Sequence, residues 1–191
     1  MNEPTMKPLL KSLGMLAFMT SHLACSPAWA DKTKSWGAAS DAMAVGLPVL
    51  AGVATLVNND TEGTRQLVLS AGSALAASEL LKSTVHSTRP DGSDNKSFPS
   101  GHTALAFSAA TFMDRRYGEQ YGAWVPAALY GVAAMTGVAR VEAKKHHWSD
   151  VVAGGAIGWG AARFWSEPVQ GGRISVIPGS RGLAVGWARS F

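Results

Sequence analysis

The chain has 191 residues, of which 47% are hydrophobic, 16% are charged and 21 are glycine. This length is typical of a single domain, and the apolar fraction is too high for a disordered chain. Lys and Arg outnumber Asp and Glu by 17 to 13, without the basic runs that bind nucleic acid. Because Cys25 is the single cysteine, an intrachain disulfide framework and a cysteine-based zinc site are excluded. The charge balance suits an anionic substrate better than a nucleic-acid partner.

The first thirty residues have the three-part layout of an export signal. Two lysines precede a short apolar core at residues 13–20, and an A-x-A pattern ends at Ala30. We therefore predict a signal peptide over residues 1–30 and export of the chain. A first membrane helix is the alternative, because residues 12–30 contain no Asp, Glu, Lys or Arg.

Hydrophobic periodicity and the positions of Pro and Gly predict one helical domain over residues 31–168. The fold expected is an all-α bundle of about five core helices. They are predicted at residues 41–57, 64–87, 100–117, 121–141 and 149–165. Residues 31–40 are expected to be a polar stretch before the first helix, which Pro48 should kink.

The C-terminal tail, residues 169–191, differs from the helical domain in its pattern. Residues 173–177 and 183–187 are two short apolar runs that flank a Pro-Gly-Ser-Arg-Gly turn. This arrangement is typical of a small β-hairpin.

Polar and charged residues cluster where the predicted helices begin and end. Lys82 and Arg89 lie seven residues apart, about two helical turns, near the end of the second helix. Ser100, Gly101 and His102 follow a proline and open the third helix. Unpaired backbone N–H groups at such a helix start can hold phosphate oxygens, and an imidazole there can exchange protons near neutral pH.

A third polar segment connects the fourth and fifth helices. Arg140 can bind a phosphate in a bidentate manner, and His146 lies four residues before Asp150, whose carboxylate can orient the imidazole. An oriented histidine of this kind can act as a nucleophile. Each segment alone also has an ordinary structural explanation as a helix cap or a solvated loop. In an antiparallel bundle with short connections, however, all three segments meet at one end.

Together the three segments resemble the signature of the type 2 phosphatidic acid phosphatase superfamily. That superfamily also includes bacterial non-specific acid phosphatases and vanadium haloperoxidases. The motifs are Lys-x6-Arg-Pro from Lys82, Pro-Ser-Gly-His ending at His102, and Arg-x5-His-x3-Asp from Arg140 to Asp150. One position departs from the pattern, because Ala139 stands where the family usually has serine.

The resemblance implies a phosphatase that needs neither a metal nor another cofactor. It makes His146 the nucleophile that forms a phosphohistidine, and Asp150 the group that holds and polarises this imidazole. His102 would protonate the leaving oxygen and then activate water. His147 lies outside the register of the motif. The phosphoryl oxygens would be bound by five residues: Lys82, Arg89, Ser100, Gly101 and Arg140.

The substrate implied is a phosphate monoester or diphosphate, expected to be lipid-linked. Phosphatidic acid, phosphatidylglycerophosphate and polyprenyl diphosphate are all candidates, and the motifs do not choose among them. A soluble, broad-specificity periplasmic acid phosphatase is the first alternative. A vanadium-dependent haloperoxidase is less favoured because those enzymes are generally longer. A binding protein with a decayed site is also less favoured, because the charged and histidine positions of the motifs are complete.

The expected location is the periplasm or the inner membrane, with the active site facing the periplasm. Six helices, counting the N-terminal segment, could match the six spans of the family's integral members. The third helix, however, has only about eleven apolar-rich residues before Asp114, whereas about twenty are needed to span a bilayer. We therefore favour a cleaved periplasmic protein that associates with membranes.

Overall fold

The computed structural model describes the backbone of residues 27–169, 173–179 and 182–188, and the side chains of residues 32–169. Residues 1–26, which contain most of the predicted signal peptide, lie outside this description. Five helices follow one another: α1 Pro27–Val57, α2 Thr61–Thr84, α3 Gly101–Tyr121, α4 Trp124–Glu142 and α5 Trp148–Trp165. The predicted all-α bundle is thus confirmed.

The tail contains two strands, β1 Arg173–Gly179 and β2 Gly182–Ala188. They pair antiparallel, with Arg173 opposite Ala188 and Gly179 opposite Gly182. This is the pairing that the predicted hairpin requires.

Helix α1 differs most from the sequence prediction, because it begins at Pro27 and not at Asp41. Residues 31–40, predicted as a polar stretch, are helical throughout. They contain no proline, and several are Lys or Ala, which favour helix strongly enough to offset the cost of Gly37. Pro48 lies inside the helix. The additional turns bring the N-terminal half of α1 alongside the predicted site.

Helix α3 is the centre of the bundle and packs against each of the other four helices. Its middle is buried among apolar side chains from α1, α2, α4 and α5. Glycines allow α5 to lie directly on α3, since a Cβ added at Gly154 would collide with the Ser100 carbonyl, and one at Gly158 with the Ala104 carbonyl. The close approach at Gly154 holds the start of α5 against the start of α3.

The α1–α2 turn is fastened to α3 by the buried carboxylate of Asp60. It accepts hydrogen bonds from Arg116 at 2.6 and 2.8 Å, from the Tyr117 hydroxyl at 2.6 Å and from the Gly63 N–H at 2.8 Å. Burial raises the pKa of Asp60, but these hydrogen bonds outweigh burial and hold its pKa at about 2. This network stabilises the end of the bundle opposite the three motifs.

Candidate active site

The three motif segments meet at the other end of the bundle, where α2 and α4 end and α3 and α5 begin. The Ser100 N–H donates to the Asp150 carbonyl at 2.9 Å and so joins the starts of α3 and α5. A Cβ added at Gly101 would lie 3.3 Å from Lys82 Nζ, which places the end of α2 beside the start of α3. The antiparallel arrangement therefore brings residues from all three segments together.

His146 lies in the loop between α4 and α5 and is only 2% exposed. Its Nδ1 is 2.7 Å from the backbone oxygen of Ser97. A carbonyl can only accept, so Nδ1 carries the proton and Nε2 keeps a free lone pair. Burial lowers the pKa of His146, and the charges of Arg140 and Arg89 contribute to lowering it to about 4. The imidazole is therefore neutral at neutral pH, as a nucleophile must be.

Asp150 is 1% exposed and organises the segment on which His146 depends. Its Oδ2 accepts from the Ser97 hydroxyl at 2.5 Å and from the His147 N–H at 2.8 Å. The same oxygen is 3.8 Å from His146 Nδ1, too far for a direct hydrogen bond. Asp150 thus acts on His146 through its charge and through Ser97. The sequence analysis did not identify Ser97 as part of the site.

Ser100 and Gly101 shape the start of α3. The Ser100 side chain is fully buried, and its hydroxyl lies 2.9 Å from Thr103 Oγ1 and accepts from the Thr103 N–H at 3.4 Å. This hydroxyl therefore caps the helix. Gly101, without a side chain, leaves room for the Lys82 ammonium near the first turn.

The three predicted phosphate-binding cations are each paired with a carboxylate. The pairs are Lys82 with Glu79 at 2.7 Å, Arg89 with Asp94 at 2.7 Å and Arg140 with Asp41 at 3.1 Å. Arg140 is 7% exposed, and its buried Nε has no hydrogen-bond partner among the described residues. These cations form a buried or half-buried positive cluster at the end of the bundle, suited to an oxyanion.

His102, in the first turn of α3, contacts a residue that the sequence analysis did not place in the site. Its Nε2 lies 3.0 Å from Asp41 Oδ1, the oxygen that also accepts from Arg140. Burial lowers the pKa of His102, and the charges of Arg140 and Lys82 lower it further, whereas Asp41 raises it. Asp41 was missed because the sequence predicted α1 to begin at this residue.

The neighbouring histidines occupy different surroundings. His147 precedes α5, is exposed, and its Nε2 lies 3.1 Å from the Thr88 carbonyl. His86 is exposed at the end of α2. The motif register that favours His146 over His147 therefore corresponds to a difference in burial. Across residues 32–169, no group of three or more His, Cys, Asp or Glu is arranged to hold a metal ion.

Two cavities flank the site. A cleft of about 390 Å³ separates α1 from the loop that follows α4, and charged side chains such as Lys34, Asp41 and Lys145 are among its lining residues. An apolar groove of about 450 Å³ runs along α5 and includes Trp148 and Trp159. Trp148, which lines the groove, comes two residues after His146 in the sequence.

Comparison with known proteins identifies a family and several relatives. A model of the PAP2 superfamily matches residues 63–170, which include all three motifs. The chain is 31% identical over 157 residues to a lipid A 1-phosphatase of Porphyromonas gingivalis, covering 82% of this chain and 28% of that protein. It is 31% identical over 144 residues to a lipid A 4'-phosphatase of Helicobacter pylori, covering 69% of this chain and 70% of that protein.

A third relative and one solved structure are also similar to this chain. A lipid phosphate phosphatase 2 of Arabidopsis thaliana is 38% identical over 80 residues, covering 37% of this chain and 28% of that protein. The crystal structure of Aquifex aeolicus LpxE superposes with a TM-score of 0.50 at 23% identity, covering 65% of this chain and 83% of that chain. The structural likeness supports the helical fold. The chain spans less than a third of the length of the P. gingivalis relative.

Proposed function

Because the chain belongs to the PAP2 superfamily, we propose that it is a phosphatase that hydrolyses lipid-linked phosphate esters through a phosphohistidine at His146. The state of His146 carries this proposal: a buried, neutral imidazole whose Nδ1 proton is directed at the Ser97 carbonyl. Arg89 and Arg140 lie near enough to lower the pKa of this imidazole, so they are also near enough to attract a phosphoryl group.

The reaction we propose has two displacements at phosphorus. First, His146 Nε2 attacks and the bond from phosphorus to the ester oxygen breaks. His102, whose protonated form is favoured by the charge of the bound phosphate dianion, donates a proton to that oxygen. His102 then accepts a proton from water, the water oxygen attacks phosphorus, and the phosphorus–nitrogen bond breaks. Lys82, Arg89 and Arg140 stabilise the charge on the phosphoryl oxygens, so that these steps require no metal ion or other cofactor.

A lipid substrate is supported by the relatives and by the surface of the molecule. The curated relatives act, by name, on lipid A or on lipid phosphates. The apolar groove along α5, which includes Trp148, offers a surface for an acyl or prenyl chain. These names favour a phosphorylated glycolipid of the lipid A kind, which was not among the three candidates named from the sequence.

We further propose that the protein associates with the outer face of the inner membrane, with its site toward the periplasm. Two helices, Lys32–Val57 and Trp124–Glu142, are long and apolar enough to cross a membrane by length and composition alone. Large apolar side chains of α1 are exposed, among them Val49, Val53 and Leu56. The periplasmic orientation rests on the export signal predicted from the sequence.

Phosphate release by the purified protein, measured in the presence of EDTA, tests the activity. The substrates are a lipid A-type phosphoglycolipid, phosphatidic acid, a polyprenyl diphosphate and an aryl phosphate. We expect release from a lipid, and we expect His146→Ala to lower turnover by about four orders of magnitude, because no other group replaces the nucleophile. A base-stable, acid-labile phosphoenzyme should form with the wild type.

His147→Ala is the matched control, since it removes the adjacent and exposed imidazole and should keep turnover within about tenfold. Substantial residual turnover in His146→Ala would exclude His146 as the nucleophile. Release from the aryl phosphate alone would favour the soluble acid phosphatase. No release from any substrate by folded protein would contradict the proposed activity.

A further inference from the structure

One carboxylate oxygen contacts two of the groups to which the proposed function assigns the phosphate. Asp41 Oδ1 lies 3.0 Å from His102 Nε2 and 3.1 Å from Arg140 Nη1. Both distances lie within the range of N–H···O hydrogen bonds. The carboxylate of α1 therefore occupies two groups that the substrate would use, Arg140 for a phosphoryl oxygen and His102 for the ester oxygen.

The other carboxylates of the site are arranged differently. Glu79 lies three residues before Lys82 on the same helix, and Asp94 lies in the same loop as Arg89. Each of these carboxylates is paired with one cation of its own segment. Asp41 comes from α1 and contacts His102 on α3 and Arg140 on α4. It therefore differs from a carboxylate that only neutralises a neighbouring cation of its own segment.

The surroundings of Asp41 permit it to leave. Its side chain is 60% exposed, whereas the Arg140 side chain is 8% exposed. Asp41 also lines an open cleft of about 390 Å³ between α1 and the loop that follows α4. The carboxylate therefore has space to move away, while the guanidinium of Arg140 is buried and its Nε has no partner among the described residues.

We propose that Asp41 is an intramolecular competitor for the phosphate: it binds Arg140 and His102 when no substrate is bound, yields both groups to the substrate, and returns to expel inorganic phosphate. This inference rests on the proposed phosphatase function, since it assumes that Arg140 and His102 receive the phosphate. A monoester dianion carries more charge than the carboxylate and can displace it. After hydrolysis, the return of Asp41 favours release of the product.

Binding of inorganic phosphate, measured by titration calorimetry, tests the proposal without requiring turnover. Asp41→Asn removes the competing charge and keeps the shape of the side chain. We expect Asp41→Asn to lower the Kd for phosphate about fivefold, the effect of removing one half-exposed ion pair from the competition. Asp41→Glu, which keeps the charge, should stay nearer to the wild type.

Asp94→Asn is the matched control, because it removes one negative charge next to another cation of the site but leaves the bridge intact. We expect it to change the Kd less than twofold. An equal decrease in both Asn variants would show a general effect of charge and overturn the proposal. An unchanged or higher Kd in Asp41→Asn, or no phosphate binding in any variant, would also overturn it.

Steady-state kinetics separate this proposal from the proposed activity. In Asp41→Asn, the KM and the inhibition constant of phosphate should fall together, and kcat should not rise, because product leaves more slowly. Tighter phosphate binding in a protein that hydrolyses no phosphate ester would support the role of Asp41 and contradict the phosphatase. Turnover of a phosphate ester, together with unchanged phosphate binding in Asp41→Asn, would support the phosphatase and contradict the role of Asp41.

Discussion

At the scale of single residues, the burial of His146 has a cost that depends on pH. Its pKa is about 4 in the folded protein, against 6.5 for an ordinary histidine. Below about pH 6.5 the unfolded chain binds a proton at this imidazole, whereas the folded protein does not bind it until about pH 4. The unfolded state is therefore favoured progressively as the pH falls through this range.

We expect the free energy of unfolding to fall by roughly 3 kcal/mol between pH 7 and pH 4 because of His146 alone. His146→Asn cannot be protonated in this range and should lose correspondingly less stability. Denaturant unfolding of both proteins at the two pH values measures the difference. An equal loss in both would show that the pKa of His146 is not lowered in the folded state.

The sequence analysis proposed His146, Arg140 and Asp150 for the site, but it did not include Ser97 or Asp41, which contact them. His146, Arg140 and Asp150 have a spacing that a motif can record. The partner of His146 is the backbone carbonyl of Ser97, a group that every residue possesses and that no pattern of side chains reveals. Asp41 is a side-chain contact, but it joins helices some 60 residues or more apart in sequence and depends on where α1 runs.

At the scale of elements, the site consists of helix ends. The ends of α2, α3, α4 and α5 were predicted within about four residues of their observed positions. Pro, Gly and polar caps mark such ends in the sequence. The start of α1 was wrong by 14 residues because residues 31–40 carry charge but no helix-breaking proline. Polarity alone does not end a helix that can expose one side to water.

The contact of α3 with α5 depends on two glycines of α5. Gly158→Ala places a methyl group on the Ala104 carbonyl and should destabilise the fold by about 2 kcal/mol, because the two backbones must separate. Gly154→Ala presses on the Ser100 carbonyl and should also reduce turnover, since Ser100 begins the helix that carries His102. Thermal unfolding and phosphate release of both variants measure these effects.

Gly160→Ala provides the control within the same helix. An added Cβ at Gly160 meets nothing within 4 Å, so the substitution should stabilise the helix by up to about 1 kcal/mol. If Gly158→Ala were as stable as Gly160→Ala, the close packing of α5 on α3 would be refuted.

At the scale of the whole molecule, the apolar side chains on the outside of α1 bear on where the protein works. Val49, Val53 and Leu56 are 58%, 49% and 71% exposed and recur at helical spacing along one side. An exposed apolar stripe of this kind is typical of a protein that contacts lipid or another protein. The far end of the bundle, held by Asp60, is separated from the site by the length of α3.

We expect the protein to float with phospholipid vesicles in a density gradient. Replacing Val49, Val53 and Leu56 together with serine should lower the vesicle-bound fraction at least tenfold, because less apolar surface enters the lipid. Turnover of a soluble aryl phosphate should remain, since these side chains lie outside the site. A wild-type protein that does not float would contradict membrane association and favour the soluble alternative.

The backbone carbonyl of Ser97 orients His146, and this determines which sequence changes the site can tolerate. Any amino acid at position 97 has the same backbone carbonyl. Substitutions that remove the Ser97 hydroxyl bonded to Asp150 therefore still leave the proton on Nδ1 of His146 and the lone pair on Nε2. An insertion or deletion between α2 and α3 would move the carbonyl itself and change which nitrogen bears the proton. Selection on this loop should therefore act on its length and path more strongly than on the side chain at residue 97.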